Sequence, residues 1–190
     1  MTKSLWGAAF ILVASSVSGM DAWAAETLAA QIQAGEHRLI LNGSGVRTKT
    51  LFELYVAGLY LTHSENDAAT IIAADEPMAI RIKITSGFVS QSSLVDSLED
   101  GFQKATDGDT REIRSEIDQF REYFKDAIKK NDVFDMMYVP QRGVIVTKNG
   151  ELKGNVPGVK FKQALFSIWL SNKPVDNALK QALLNPTKVR

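Results

Sequence analysis

The sequence predicts an α+β domain in which helices pack on one face of an antiparallel sheet. Three observations carry that expectation. Met78 to Thr85, "MAIRIKIT", alternates apolar with basic residues, so Ile80, Ile82 and Ile84 share one side of a half-buried strand and Arg81 and Lys83 the other. Asn149-Gly150 separates two β-like runs and is a strong two-residue hairpin signal. Ile113, Ile117, Phe120, Phe124, Ala127 and Ile128 recur at helical spacing and form one stripe.

The elements follow in order. Lys3, the apolar run Leu5 to Val17 and the small-residue end Ala22-Trp23-Ala24-Ala25 have the order of a secretory signal peptide, with cleavage expected near Ala24 or Ala25. The run is too short for a convincing membrane span. Residues 1–25 are therefore read as a leader and 26–190 as a single domain, exported to a bacterial periplasm, with no stable membrane insertion after cleavage. Thr27 to Gln33 and His37 to Val46 read as short strands, the second alternating around Leu39 and Leu41. Leu51 to Leu61 is a longer one, rich in aromatic and aliphatic residues and free of proline. After the Met78 strand, Ser90 to Ala105 places Leu94, Val95, Leu98 and Phe102 on one helical face, with serines to cap its start. Asp109 to Lys130 is expected as one helix, with Asp109 and Glu112 as a capping box. Phe134 to Val139, Gly143 to Lys148 and Glu151 to Gly154 return to strand. Pro157 to Leu170 and Pro174 to Leu184 read as closing helices, each with proline near its start.

Composition narrows the function classes. The chain of 190 residues carries 22 basic and 22 acidic side chains, and loss of the leader removes one of each, so nothing resembles a nucleic-acid footprint. With no cysteine, the protein needs neither disulfides nor a thiolate metal site, which suits an oxidising compartment. Gly43-Ser44-Gly45-Val46-Arg47-Thr48 begins like a dinucleotide fingerprint, but Thr48 stands at the third glycine and a strand follows. Asp107 to Asp118 starts like a calcium loop, yet Arg111 and Glu112 occupy a ligand place and the glycine place. Asn42-Gly43-Ser44 is a sequon of the kind that occurs by chance. His37 and His63, the only histidines, sit in polar surroundings without ligand spacing, and no nucleophile elbow frames a serine. No metal site, cofactor or catalytic residue is assigned.

Arg47 is the residue that needs an explanation. It precedes an apolar strand, where a cation must find a partner or reach water. It either pairs with Glu53 or lies at an exposed strand end, or it points into a cavity to receive an anion. A guanidinium stays charged and grips a carboxylate in bidentate fashion.

"NGSGVRTKTLFELYVAGLYL" and "VPGVKFKQALFSIWLSNKPVDNALKQALL" resemble the chalcone isomerase-like family, particularly its secreted bacterial members, over essentially the whole mature chain. The resemblance implies an open-faced β-sandwich, a large antiparallel sheet covered by a layer of helices with a ligand cleft between them. It also implies one of two activities: isomerases that cyclise chalcones, or fatty-acid-binding relatives without that activity. The family's arginine looks like Arg47, which polarises substrate in the first class and holds a carboxylate in the second. Isomerases resemble one another in a threonine where this chain has Tyr55, and in a tyrosine that should fall within Thr85 to Ser93, where this chain has none. The reading is a binding protein for a hydrophobic carboxylic acid such as a fatty acid. The alternatives are an isomerase of the chalcone type and a ligand-free interaction module. The candidate ligand-binding residues are Arg47, Tyr55, Phe88 and Tyr138. Arg47 and Tyr55 share parity but would lie roughly 26 Å apart in one straight strand. They converge only if the chain turns near Thr48 to Thr50, or if a bulge or a neighbouring strand intervenes, and no Asn-Gly or Gly-Gly marks such a turn.

Overall fold

A computed structural model describes residues 28–186; the leader and its cleavage point lie outside them. Seven strands form one sheet in chain order, each antiparallel to its neighbours. They are β1 (Gln31–Ala34), β2 (His37–Lys49), β3 (Phe52–Leu61), β4 (Met78–Ile84), β5 (Val133–Val139), β6 (Gly143–Lys148) and β7 (Glu151–Val156). Helix α1 (Ala68–Ala73) joins β3 to β4. Helix α2 (Gln91–Ala105), a 3-10 turn (Arg111–Ile113) and α3 (Arg114–Glu122) join β4 to β5, and α4 (Val159–Leu170) and α5 (Asn177–Leu183) close the chain.

The alternation in β4 sorts its side chains as expected. Ile80, Ile82 and Ile84 enter the main core against the helices. Arg81 lies on the other face and forms a two-pronged contact with Asp135, its cross-strand partner on β5, at 2.6 and 3.1 Å. The main core sets Leu59, Phe134, Met136 and Val146 of the sheet against Leu98, Phe102, Phe120, Phe161 and Leu165 of the helices. Ring centroids 5.0 to 6.0 Å apart link Phe102, Phe120, Phe124 and Phe161. Burying this apolar surface is the dominant favourable term for the fold. On the opposite face Ile32 of β1 and Val139 of β5 share one cluster with Leu39, Leu41, Tyr60 and Ala79. Strands four apart in order meet only if the sheet curls.

Two expectations change. Asp109 to Lys130 is not one helix: a 3-10 turn precedes α3, which ends at Glu122. The Asp109 carboxylate binds the backbone and guanidinium of Arg111 instead of forming a capping box with Glu112. Beyond Glu122 tertiary bonds replace helical ones: the Tyr123 hydroxyl donates to the Asn155 carbonyl, and Lys148 Nζ donates to the Ala127 carbonyl. Asn131, with φ 75°, then turns the chain into β5. Second, α1 has no counterpart in the sequence reading. Asp67 caps it by accepting from Thr70 N, and the buried Lys162 of α4 closes its other end, donating to the carbonyls of Ile71, Ile72 and Ala74 at 3.0, 2.9 and 2.6 Å.

Candidate functional site

The glycine motif positions the site by letting a helix approach a strand. A Cβ at Gly45 would lie 2.7 Å from the Ala182 side chain, and one at Gly43 would strike the Ala182 carbonyl oxygen, so only glycine admits α5 onto β2. Asn42, fully buried, completes the seam. Its amide donates to the carbonyls of Leu183 and Glu65 and its oxygen accepts from Glu65 N. The sequon asparagine is thus a structural bolt.

Strand β2 runs three residues past Val46, and the chain reverses at Thr50 and Leu51 into β3. Thr50 adopts φ 57°, a left-handed conformation unusual for a β-branched residue, and the register is irregular between Arg47 and Thr48. Arg47 consequently stands directly opposite Tyr55 in the β2–β3 ladder. Of the alternatives that would let the two converge, a turn and a bulge are both present.

Arg47 does not pair with Glu53. Its Nη1 donates to Asp176 Oδ2 at 3.0 Å and to the Thr48 carbonyl at 2.5 Å. The pair is mostly shielded, with side chains 20% and 14% exposed. Asp176 also caps α5, accepting from Leu179 N at 3.0 Å. One carboxylate therefore fixes both the helix start and the guanidinium. Tyr55 is buried. Its hydroxyl oxygen accepts from Trp169 Nε1 of α4 at 3.1 Å, and among the described residues the phenolic proton has no acceptor within hydrogen-bond distance. Burial pushes its pKa up to about 12, with the Trp169 hydrogen bond and the nearby Arg47 charge pulling the other way. At neutral pH Tyr55 therefore keeps its proton and can donate it to a ligand while accepting from Trp169.

Both residues line a cavity of about 520 Å³ between β3, α2 and α4. Leu54, Ile82, Leu94, Leu98 and Ile168 supply apolar wall, while Ser93, Asp96, Ser97, Asp100 and Lys104 give α2 a polar edge. Those α2 positions recur at three- and four-residue spacing, so a helical wheel finds them, but nothing in the sequence says that this edge meets a cavity. Gly101 lets α2 press on α4, since a Cβ there would come 2.8 Å from Ile168. Trp169 and Asp176 join the site through contacts more than 110 residues apart in sequence.

Phe88 lines the mouth of the same cavity, 77% exposed. Tyr138 does not belong to it. Tyr138 pairs with Met78, at the opposite end of β4 from Ile84, the partner of Tyr55. There its hydroxyl donates to Asp75 Oδ1 at 2.5 Å and its ring lies 5.6 Å from Lys162 Nζ. Burial first, then the adjacent Asp75 carboxylate, raises its pKa to about 12. It buttresses the end of α1. Among the described residues no group of three or more histidine, aspartate or glutamate side chains is placed to hold a metal ion. No described helix is long and apolar enough to cross a membrane.

The chain matches the family model described as chalcone isomerase-like over residues 21–185. Among solved structures it is similar to a fatty-acid binding protein of Arabidopsis thaliana, with a TM-score of 0.62 and 20% identity, covering 83% of this chain and 90% of that one. At that identity the likeness is one of fold, and it matches the α+β sheet-and-helix arrangement described above. No curated protein matches the chain.

Proposed function

The chain belongs to the chalcone isomerase-like family, and on that premise we propose that it is a non-catalytic periplasmic binding protein for a hydrophobic carboxylic acid such as a fatty acid, with the carboxylate held by Arg47 and Tyr55. The observation that carries this reading is the pairing of a guanidinium with an unspent phenolic proton at one side of a cavity that has an apolar wall from the sheet and α4 and a polar edge along α2. The cavity volume lies within the range of about 300–1,000 Å³ usual for small-molecule sites. A carboxylate there accepts from Tyr55 and from Arg47 N–H groups that Asp176 and Thr48 leave free, while the acyl chain follows Leu54, Ile82, Leu98 and Ile168. The leader-like start, Lys3 to Ala25, supports export.

Native mass spectrometry of protein released by osmotic shock from its own cells tests the reading. The expected species begins near Ala25 or Glu26 and carries a fatty acid that Arg47→Ala loses. Retention of residues 1–25 in the membrane fraction refutes the location. An empty cavity that takes up no added hexadecanoic acid refutes the ligand class.

A further inference from the structure

The mouth of the cavity carries an exposed apolar cluster on two neighbouring loops. Leu51 in the β2–β3 turn and Phe52 at the start of β3 are 88% and 54% exposed, and Phe88 lies in the loop between β4 and α2. The Phe52 and Phe88 rings meet edge-on with centroids 5.3 Å apart. Single exposed apolar residues are ordinary, whereas large ones gathered on loop tips at a cavity mouth mark an interaction surface.

Unpaired cations flank this lip. Lys49 stands just before the turn and Lys83 lies near the end of β4. Lys129 and Lys130 sit beside that same end, where Asn131 N donates to the Ile84 carbonyl at 2.8 Å. None of the four lies within 4 Å of a carboxylate among the described residues. Against these stand one exposed acid at the start of β3, Glu53, and Asp96 and Asp100 on the α2 edge of the cavity.

We propose that this lip docks on an anionic lipid bilayer, with Leu51, Phe52 and Phe88 entering the headgroup region and the four lysines facing lipid phosphates. Aromatic and aliphatic tips flanked by lysines are what binds a negatively charged membrane interface, since apolar burial and attraction to anionic headgroups add. A second copy of the chain fits less well, because a symmetric contact through the lip would bring the two lysine sets together. Docking in this orientation sets the cavity mouth against the lipid. If the cavity holds an acyl chain, as proposed above, the chain passes between bilayer and protein without crossing water. The docking itself is independent of what the cavity holds.

The test uses the protein in the form its own cells produce and vesicles of phosphatidylcholine, with or without phosphatidylglycerol. Wild type is expected to sediment with the anionic vesicles only, and to be released by salt as the screening length falls from about 10 Å at 0.1 M to 3 Å at 1 M. Lys129→Glu with Lys130→Glu should weaken binding about tenfold or more. Leu51→Ser, Phe52→Ser and Phe88→Ser together should reduce it to the phosphatidylcholine level with at most a small fall in melting temperature, because all three side chains are exposed and only the Phe52–Phe88 edge contact is lost. Phe52→Trp should gain a blue-shifted emission that brominated lipids quench. Emission of Phe52→Trp unmoved by anionic vesicles overturns the proposal. So does self-association of wild type that the triple serine variant abolishes in the absence of vesicle binding, which assigns the lip to a second copy. Loss of hexadecanoic acid binding with vesicle binding intact would instead refute the ligand class alone.

Discussion

Asp176→Asn separates a carboxylate receptor from a structural ion pair. Asparagine caps a helix about as well as aspartate, so the bond to Leu179 N and the start of α5 should survive. What disappears is the negative charge 3.0 Å from Arg47. A ligand carboxylate on the remaining edge of the same guanidinium would lie roughly 5 Å from the Asp176 carboxylate, and at an effective dielectric constant near 20 their repulsion is about 3 kcal/mol. Both side chains keep some contact with solvent, 20% and 14% exposed, so a realised gain of about 1.4 kcal/mol, or tenfold in Kd, is the expected size. Calorimetry at pH 7 with hexadecanoic acid and hexadecanol reads it. Asp176→Asn should bind the acid about tenfold more tightly and the alcohol unchanged. Arg47→Ala should cost the acid on the order of 2–5 kcal/mol, since it removes the cation and leaves Asp176 unpaired beside the ligand. The double variant should recover part of that loss, because the unpaired carboxylate goes too. Equal affinity of wild type for acid and alcohol, together with no change in Asp176→Asn, would mean that Arg47 only fastens α5 to β2.

Three further outcomes follow from the same geometry. Gly45→Ala places a Cβ 2.7 Å from Ala182, so urea unfolding should show about 1–3 kcal/mol of overpacking cost, with acid affinity falling as α5 and Asp176 shift. Tyr55 has its pKa raised from 10.0 to about 12 by burial; a raised pKa contributes stability that is complete below the unfolded value and is lost as pH climbs through the folded one. Stability should therefore fall between about pH 10 and 12, by up to about 2.7 kcal/mol for this residue, and Tyr55→Phe should flatten that slope in urea titrations at stepped pH. Added chalcone should cyclise no faster than background, monitored by absorbance, because Tyr55 stands where isomerases resemble one another in threonine and Thr85 to Ser93 holds no tyrosine; turnover that Arg47→Ala abolishes would restore the enzyme reading.

What was legible in the sequence is what local pattern encodes. The alternation of "MAIRIKIT" placed Ile80, Ile82 and Ile84 in the core, Ser90 capped α2, and Asn149-Gly150 joined β6 to β7. Local pattern also misled. The apolar stripe continues through Phe124 and Ile128 although the helix stops at Glu122, because both residues pack against the core from a non-helical chain held by Lys148 and Asn131. Tyr138 is a candidate that the structure places elsewhere, because which end of β5 meets the cavity is decided by its register with β4, and no local pattern encodes that.

Arg47 shows the boundary most sharply. Its resemblance to a family arginine identified the residue, yet its setting depends on a threonine taking a left-handed turn and on an aspartate 129 residues away. Thr50 carries no turn signature because the cost of its backbone is met by the hairpin it closes, not by its own preference. Asp176 carries none because an N-cap looks the same whether or not a guanidinium shares it. The consequence bears on function. If a carboxylate is held there as proposed, it must share the guanidinium with Asp176, so the site should hold an acid less tightly and release it more readily than an unpaired arginine would. The tenfold gain expected of Asp176→Asn is a direct measure of that compromise, and it should appear as a slower off-rate with the on-rate little changed.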